Sequence, residues 1–437
     1  MLINNNYLNN RIDNKQICYG NISVFDAVKN IESNLLLNKG ITEVGGFIIP
    51  QAIMANNKDE SIERSFKSSL YFLITFISPI VLLPLFNRKA LSHYNISKNF
   101  KNDEKRILEV SKEYLTKDGE YLKRGIELKS QELFGNTKGF NSIIEKYGND
   151  TEKLRKDLIS AHTAIHFTDL LTTNLMVASY PWLGNLFTQY RTKRSGYSGT
   201  YKMADEEFTK KTASKTNETK KLRQALTLGL TIIPALTLPI LLKKGMLNGL
   251  TSNNKVLKWF NKNAEMFDYK KAMYMSRATA LALWLTGDYL PNMLASRDKY
   301  ELKDNLIRIT LMDVFFWGGD LLLKKVLAKC SDKMFNTHLI NKDTNHPYTL
   351  DNLKNYKNIE NLKHLSEKSI KKTKRAAVSL YILNLGILMG TLGFGLPILL
   401  NRMLRKRVAE DKAKVNISTP LTMKPTFIEF INQAKNR

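Results

Sequence analysis

The chain has 437 residues and a formal net charge of +27, a length that would suit about two or three soluble domains. Its two cysteines, Cys18 and Cys330, exclude a disulfide framework and a cysteine-rich metal site. The mean hydropathy of −0.29 is an average over two populations, because charged stretches alternate with long runs that carry almost no charge.

Residues 1–65 form a polar, Asn-rich region with a weakly apolar patch at 46–55, and they predict no cleavable signal peptide. The first strong apolar segment follows and predicts a membrane span at 66–88. Its Pro79 and Pro84 would be poorly tolerated in a water-soluble helix, whereas a membrane helix can accommodate them.

The composition changes completely at about residue 99. Residues 89–161 predict a soluble insert, because charges of both signs alternate with apolar residues at helical spacing over 99–160. We expect amphipathic helices in this insert and a surface for a protein partner.

Residues 162–402 predict a membrane helical bundle, and residues 403–437 a basic C-terminal tail. The apolar segments of the bundle approach the length of a bilayer-crossing helix, roughly 17–25 residues. They lie near 164–187, 225–242, 278–295, 306–323 and 376–400. The predicted fold class is therefore all-α, a polytopic helical membrane protein with about six spans and a soluble helical insert.

A Leu-Pro pair closes the strongest apolar runs and recurs at nearly constant spacing, with its prolines at Pro84, Pro239 and Pro397. Pro234 and Pro239 also repeat the five-residue step between Pro79 and Pro84. A fainter echo relates the segments 46–50 and 287–291, each of which starts with glycine and ends with proline. Together these patterns predict an internal repeat with proline-containing spans.

The basic residues cluster at the ends of apolar runs, as at Lys243, Lys244 and the stretch 402–407. Lys and Arg that neutralise phosphates also give non-specific affinity for nucleic acid, but such residues would not need to flank apolar runs. Cations beside a membrane, facing anionic lipid headgroups, explain the placement better. We therefore expect a lipid bilayer, with anionic headgroups, as the partner, and we do not expect nucleic acid.

Carboxylates inside the weaker predicted spans are the candidate functional residues. A charged side chain costs about 2.5–3.5 kcal/mol near the centre of a membrane helix, so these helices should turn their polar faces into a bundle interior. The candidates are Asp169, Asp288, Asp313 and Asp320.

Asp313 is the preferred candidate, because local ion pairs explain two other carboxylates. Asp320 has Lys324 four residues later, and Asp304 has Arg308 at the same spacing. Alternatively, 306–323 is an amphipathic helix at the membrane surface with its carboxylates in water.

His162, His166 and Asp169 share one helix face. Two histidines four residues apart can bind a transition metal, so a metal site or a proton relay is one interpretation. The alternative is that these polar residues lie at the end of a helix where it enters the membrane and have no role in metal binding or proton transfer. Motifs for nucleophilic catalysis or phosphate binding are not recognisable, and we predict neither an enzyme nor a cofactor.

Two function classes follow from the sequence. The first is a non-enzymatic structural or interaction protein of the cytoplasmic membrane. The second is a small-solute or cation/proton-coupled transporter that uses Asp169, Asp288 and Asp313. A third possibility is a soluble or peripheral protein that buries its apolar runs. Convergence of the three carboxylates on one cavity would favour transport over the structural role.

Overall fold

The computed structural model describes residues 23–94, 147–148, 150–248, 251–267 and 277–418. Within these ranges the regular elements are helices, and β pairing is limited to an isolated bridge between Ile340 and Pro347. The prediction of an all-α fold is confirmed. Most of the predicted insert, and the tail beyond residue 418, lie outside the described residues.

In chain order the α-helices are α1 (Val24–Ser33), α2 (Leu35–Gly40), α3 (Ile49–Ile53), α4 (Lys58–Ile77), α5 (Leu83–His93), α6 (Thr151–Thr192), α7 (Glu206–Glu218), α8 (Lys220–Asn248), α9 (Lys255–Lys262), α10 (Arg277–Trp284), α11 (Leu290–Ala295), α12 (Lys299–Val314), α13 (Asp320–Phe335), α14 (Leu350–Lys354), α15 (Glu360–Lys363), α16 (Glu367–Leu388) and α17 (Leu396–Ser418). Wider π-helical turns lie at Ile41–Ile48, Ser78–Leu82, Leu285–Tyr289, Phe315–Gly319 and Met389–Gly395. Short 3₁₀ turns lie at Ser198–Thr200, Ala264–Phe267 and Tyr356–Asn358.

The chain divides into two units. The smaller unit comprises Met1–Thr42 and Gly318–Leu388, and the larger comprises Glu43–Trp317 and Met389–Arg437. The smaller unit has its own apolar core, in which Leu350, Leu353 and Leu362 are almost completely buried. Its two sequence segments are in contact, since the backbone N–H of Leu350 donates to the Glu32 carboxylate at 2.8 Å.

The larger unit is built around α6, a helix of 42 residues. Asp150 caps its N-terminus by accepting the backbone N–H of Lys153, and the helix ends where Lys193 adopts a left-handed conformation with φ 55°. Helices α4, α5 and α8 pack along it. The predicted boundary between insert and bundle, at residues 161 and 162, falls inside this continuous helix.

Among the residues that the structure describes, three helices are long and apolar enough to cross a membrane, which is fewer than the six spans expected. They are Lys58–His93, Lys220–Asn248 and Glu367–Lys414, and they contain the three strong apolar segments of the sequence. Polar residues explain why the three weaker apolar segments do not form helices apolar enough to cross a membrane. The segment 306–323 carries three charges, those of Arg308, Asp313 and Asp320, and the other two weaker segments are interrupted by histidine, aspartate or asparagine.

The recurring prolines have two structural outcomes. Proline has no N–H, and its ring crowds the carbonyl four residues earlier, so a widened turn before it relieves the clash. Pro84 and Pro397 each lie second in an α-helix that follows such a π-helical turn. Pro79 lies within the turn Ser78–Leu82, whereas Pro234 and Pro239 lie inside α8, which continues as α-helix.

The fainter echo has the same local geometry. Pro50 and Pro291 are each the second residue of a short helix, and each follows a π-helical turn that contains a buried glycine. Steric crowding by proline accounts for this likeness locally, so the geometry by itself does not establish a repeat.

Candidate functional site

Charged side chains from α4 and from the start of α12 meet inside the larger unit. We call this set the ion-pair network. Its members are Glu60, Glu63, Arg64, Lys67, Arg297, Glu301, Asp304 and Arg308. All are buried except Lys67, which is partly buried.

One half of the network surrounds Arg297. This guanidinium contacts the Glu63 carboxylate at 2.6 Å and the Glu301 carboxylate at 2.8 Å. Lys67 bridges the same two carboxylates, at 2.6 Å and 3.0 Å. The Lys67 ammonium also donates to Asn185 Oδ1 at 2.7 Å, which connects the network to α6.

The other half surrounds Arg64. Arg64 pairs with Glu60 one helical turn away and lies 3.8 Å from Asp304. Arg308 completes this half by pairing with Asp304 at 2.9 Å. The Tyr197 hydroxyl donates to Glu60 at 2.7 Å and accepts from Arg64 at 2.9 Å.

Two helix caps place the network carboxylates. The side chain of Asn57 caps α4 by accepting the backbone N–H of Glu60 at 2.9 Å. Asp298 caps α12 by accepting the N–H groups of Tyr300 and Glu301, both at 2.9 Å. Each cap fixes the first helical turn, and the positive end of the helix dipole favours a carboxylate there.

The ion pairs hold Glu301 and Arg297 in their charged forms. Burial opposes ionisation of Glu301, but the positive charges of Arg297 and Lys67 outweigh it and lower the pKa of this carboxyl. Burial likewise opposes the charge on Arg297, yet Glu301 and Glu63 hold its pKa well above the ordinary value. Asp298 differs, because burial raises its pKa despite the backbone N–H groups that it accepts.

The sequence analysis did not predict this network. A signal was present, since Glu60 and Arg64, and Glu63 and Lys67, are four residues apart on one helix. Only the pair Asp304–Arg308 was expected, and it is confirmed. Nothing in the sequence indicated that α4 and α12 would share their charges.

A second polar group surrounds Asp288, and we call it the Asp288 cluster. Asp288 lies in the π-helical turn Leu285–Tyr289 with 3% of its surface exposed. Asn292 Nδ2 donates to Asp288 Oδ1 at 2.7 Å and to the Tyr180 hydroxyl at 2.8 Å. The rings of Tyr71 and Tyr180 pack together with centroids 5.3 Å apart. Asp288 forms no ion pair with any residue that the structure describes.

Asn174 of α6 borders the same cluster. A Cβ added at Gly287 would lie only 3.2 Å from Asn174 Oδ1, so glycine allows the π-helical turn to approach α6. Within the described part of the chain, the buried Asn174 Nδ2 has no hydrogen-bond partner.

The structure separates the carboxylates that the sequence singled out. Asp313 is partly buried on α12, close enough for its charge to act on Asp288. Asp169 instead accepts hydrogen bonds from Thr173 at 3.0 Å and from Ser78 at 3.5 Å. Asp320 belongs to the smaller unit, where the expected pair with Lys324 is confirmed at 3.0 Å.

His162 and His166 are fully buried on α6 and contact each other edge to face, with ring centroids 5.4 Å apart. Among the described residues, no group of three or more His, Cys, Asp or Glu side chains could hold a metal ion. A metal site at this pair therefore has no additional ligands in this part of the chain.

Comparison with known proteins found no family model that matches the chain, and neither a curated protein nor a solved structure that is similar to it.

Proposed function

We propose that this chain is an integral multi-pass membrane protein without enzymatic activity, with a structural or interaction role in the cytoplasmic membrane. The observation that supports the proposal is a partly inverted distribution of side chains in the larger unit. Many large apolar side chains are exposed, while charged and amide side chains are buried beside apolar ones such as Leu158 and Ile159. A protein in water would favour the reverse, because exposed apolar patches and buried charges both cost free energy.

Helix α8 illustrates the outer surface. Leu226, Leu228, Ile233 and Ile240 are each about half exposed along this helix. Only 28% of its most apolar window is buried within the protein. Lipid chains would cover such a surface without the cost that water imposes.

Helix α12 shows the inversion on a single element. Asp304 and Arg308 are buried on one face, whereas Leu306, Leu311 and Val314 are exposed on the others. Polar residues in membrane helices turn toward the protein interior in this way.

The proposal includes an internal duplication of residues 46–67 and 287–308. In both segments a π-helical turn leads to a short helix with proline in second position, and then to a long helix with a side-chain N-cap. At one constant offset the pairs are Gly46/Gly287, Pro50/Pro291, Asn57/Asp298, Lys58/Lys299, Glu60/Glu301, Glu63/Asp304 and Lys67/Arg308. Proline crowding explains the turns but not the matched cap and charges, so a shared origin accounts for more of the pattern.

The lipid partner follows from the flanking cations. Arg402, Arg405 and Lys406 are exposed on α17, immediately after its apolar part. Each Lys or Arg near an anionic membrane surface contributes about 1 kcal/mol of attraction. We expect these residues to contact anionic headgroups.

Membrane integration can be tested by extraction and by lipid quenching. After alkaline carbonate treatment, the protein should remain in the membrane pellet. A fluorophore on Ile233→Cys of α8 should be quenched by brominated lipid tails, whereas the control Glu207→Cys, on the exposed polar helix α7, should not. Both variants are made after replacement of Cys18 and Cys330. Release by carbonate, together with equal quenching at both positions, would favour a soluble or peripheral protein.

A second candidate is a proton- or cation-coupled transporter. The observation that favours it is the buried Asp288, which has amide and phenol partners but no cationic one among the described residues. Reconstituted vesicles that carry a pH gradient and an internal pH dye test this function. If the protein is a transporter, wild-type vesicles should show proton flux that is lost in Asp288→Asn or Asp313→Asn. If wild-type vesicles show no more flux than vesicles without protein, the structural role is favoured.

A further inference from the structure

We propose that the Asp288 carboxyl is a proton-binding site of this protein, protonated in this structure and able to exchange that proton. The inference rests on the proposed membrane function, because it deepens the transport candidate by naming the ion and the group that binds it. Three independent observations carry it, namely the neutral partners of Asp288, its counterpart in the duplicated segment and its contrast with the paired carboxylates.

The partners of Asp288 suit a neutral acid. The Asn292 amide donates to its Oδ1, the Tyr180 hydroxyl also forms a hydrogen bond with the carboxyl, and the side chain is 3% exposed. An ionised carboxylate at such burial is normally paired with a cation. Protonation removes the charge and supplies an O–H donor, so one amide and one phenol then suffice as partners.

The duplicated segment shows that the fold does not need a carboxylate here. The residue that corresponds to Asp288 is Phe47, which is buried to 5% in the π-helical turn Ile41–Ile48. That turn also leads into a short helix with proline in second position. An apolar ring fills the corresponding position, so this local backbone geometry does not by itself require a polar side chain.

The other duplicated carboxylates give the contrast. Glu60 and Glu301, and likewise Glu63 and Asp304, occur as acids in both segments, and each contacts at least one Arg or Lys. These acids hold the fold together through ion pairs. Two other acids also have a non-acidic counterpart, but Asp59 pairs with Arg191 and Asp298 accepts three backbone N–H groups. Among the described residues, Asp288 has neither a cationic partner nor a role as a helix cap.

The titratable groups around Asp288 favour a proton on this carboxyl. Tyr180 faces it from α6 and Tyr71 from α4, and both are neutral phenols at physiological pH. Asp313 approaches from α12, and a second negative charge favours protonation of one of the two acids. On α8, Arg223 is the basic residue near this region, and its guanidinium donates to the carbonyl oxygens of Leu294 and Ser296 at 2.6 Å instead.

Infrared spectroscopy of the purified full-length protein in nanodiscs tests the site without any transport assay. A protonated buried carboxyl gives a C=O stretch that is absent from carboxylates. We expect wild-type protein to show such a band at neutral pH and to lose it under alkaline conditions. Asp288→Asn, which preserves size, should lose the band, whereas Asp313→Asn should retain it.

A second variant keeps the test decisive if Asp288→Asn does not fold. Tyr180→Phe removes the phenol that shares the Asn292 amide, so it should retain the band but shift its frequency and the pH at which it disappears. A neutral-pH band that survives in Asp288→Asn, or that is unchanged in Tyr180→Phe, overturns the proposal. Carbonate extraction and vesicle flux report separately on membrane integration and transport, so failure of either one is distinguishable from failure of the site.

Discussion

Arg297 is the residue whose removal should damage the larger unit most clearly. Its guanidinium joins Glu63 of one segment to Glu301 of the other, and its side chain is 5% exposed. Arg297→Met keeps the aliphatic bulk but leaves two buried carboxylates with Lys67 as their shared cation. Removing one partner of a buried ion pair costs about 3–5 kcal/mol, so we expect a loss of that size.

A matched control comes from an ion pair of the same chemistry at the surface. Arg191 contacts Asp59 at 2.8 Å, but their side chains are 30% and 37% exposed. Pairs of this kind contribute about 0–1 kcal/mol. Arg191→Met should therefore be nearly neutral. The free energy of unfolding of both variants can be measured by denaturant titration in detergent micelles, followed by tryptophan fluorescence.

The pH dependence of Arg297→Met gives a second, independent signature. In the wild type, the pKa of Glu301 is lowered, so its stabilising contribution is complete above the unfolded pKa and is lost only as pH falls through the folded value. Without Arg297, burial outweighs the remaining attraction and raises that pKa. The variant should then recover stability relative to wild type between neutral pH and about pH 5. Equal losses in the two arginine variants, or a gap that is constant with pH, would refute this reasoning.

Two further substitutions test the elements that position these groups. Asp298→Ala removes the acceptor of three buried backbone N–H groups, including that of Tyr197 at 2.8 Å, and should cost at least about 2 kcal/mol in the same denaturant titration. Asp298→Asn keeps an oxygen for the N–H groups of Tyr300 and Glu301 but not for that of Tyr197, so it should cost less than Asp298→Ala without being neutral. Gly287→Ala would press its Cβ against Asn174 and should destabilise the protein by about 1–3 kcal/mol. The control Gly229→Ala on α8, where an added Cβ would meet nothing closer than 4.0 Å, should be neutral or stabilising. Thermal melting of both variants measures the difference.

Much of the fold was predictable because it depends on local signals. The three strongest apolar runs lack ionisable residues, and each became part of a helix long enough to cross a membrane. The local pairs Asp304–Arg308 and Asp320–Lys324 followed from spacing on one helix. Helical periodicity and charge spacing act within a few turns, so a sequence reveals them directly.

The candidate site was harder to predict because its contacts join distant segments. Asp313 was preferred because, unlike Asp304 and Asp320, it has no cation four residues later and lies in the middle of its segment, but that criterion ignores burial. Asp313 is partly exposed, whereas Asp288 is almost completely enclosed by α6, α11 and the tyrosine rings. Burial depends on how the helices pack, and the π-helical turn that directs Asp288 inward is not visible in apolar periodicity.

The proposed duplication of 46–67 and 287–308 allows the acids of the two segments to be compared position by position. Where both segments carry an acid, as at Glu60 and Glu301, the structure pairs it with a cation and the helix dipole adds support. Where they differ, as at Phe47 and Asp288, both residues are buried in a π-helical turn that leads into a short helix with proline in second position. A buried carboxyl at this position adds a desolvation cost without adding an ion pair. The proposed binding and release of a proton would give this costly residue a role that stability alone does not.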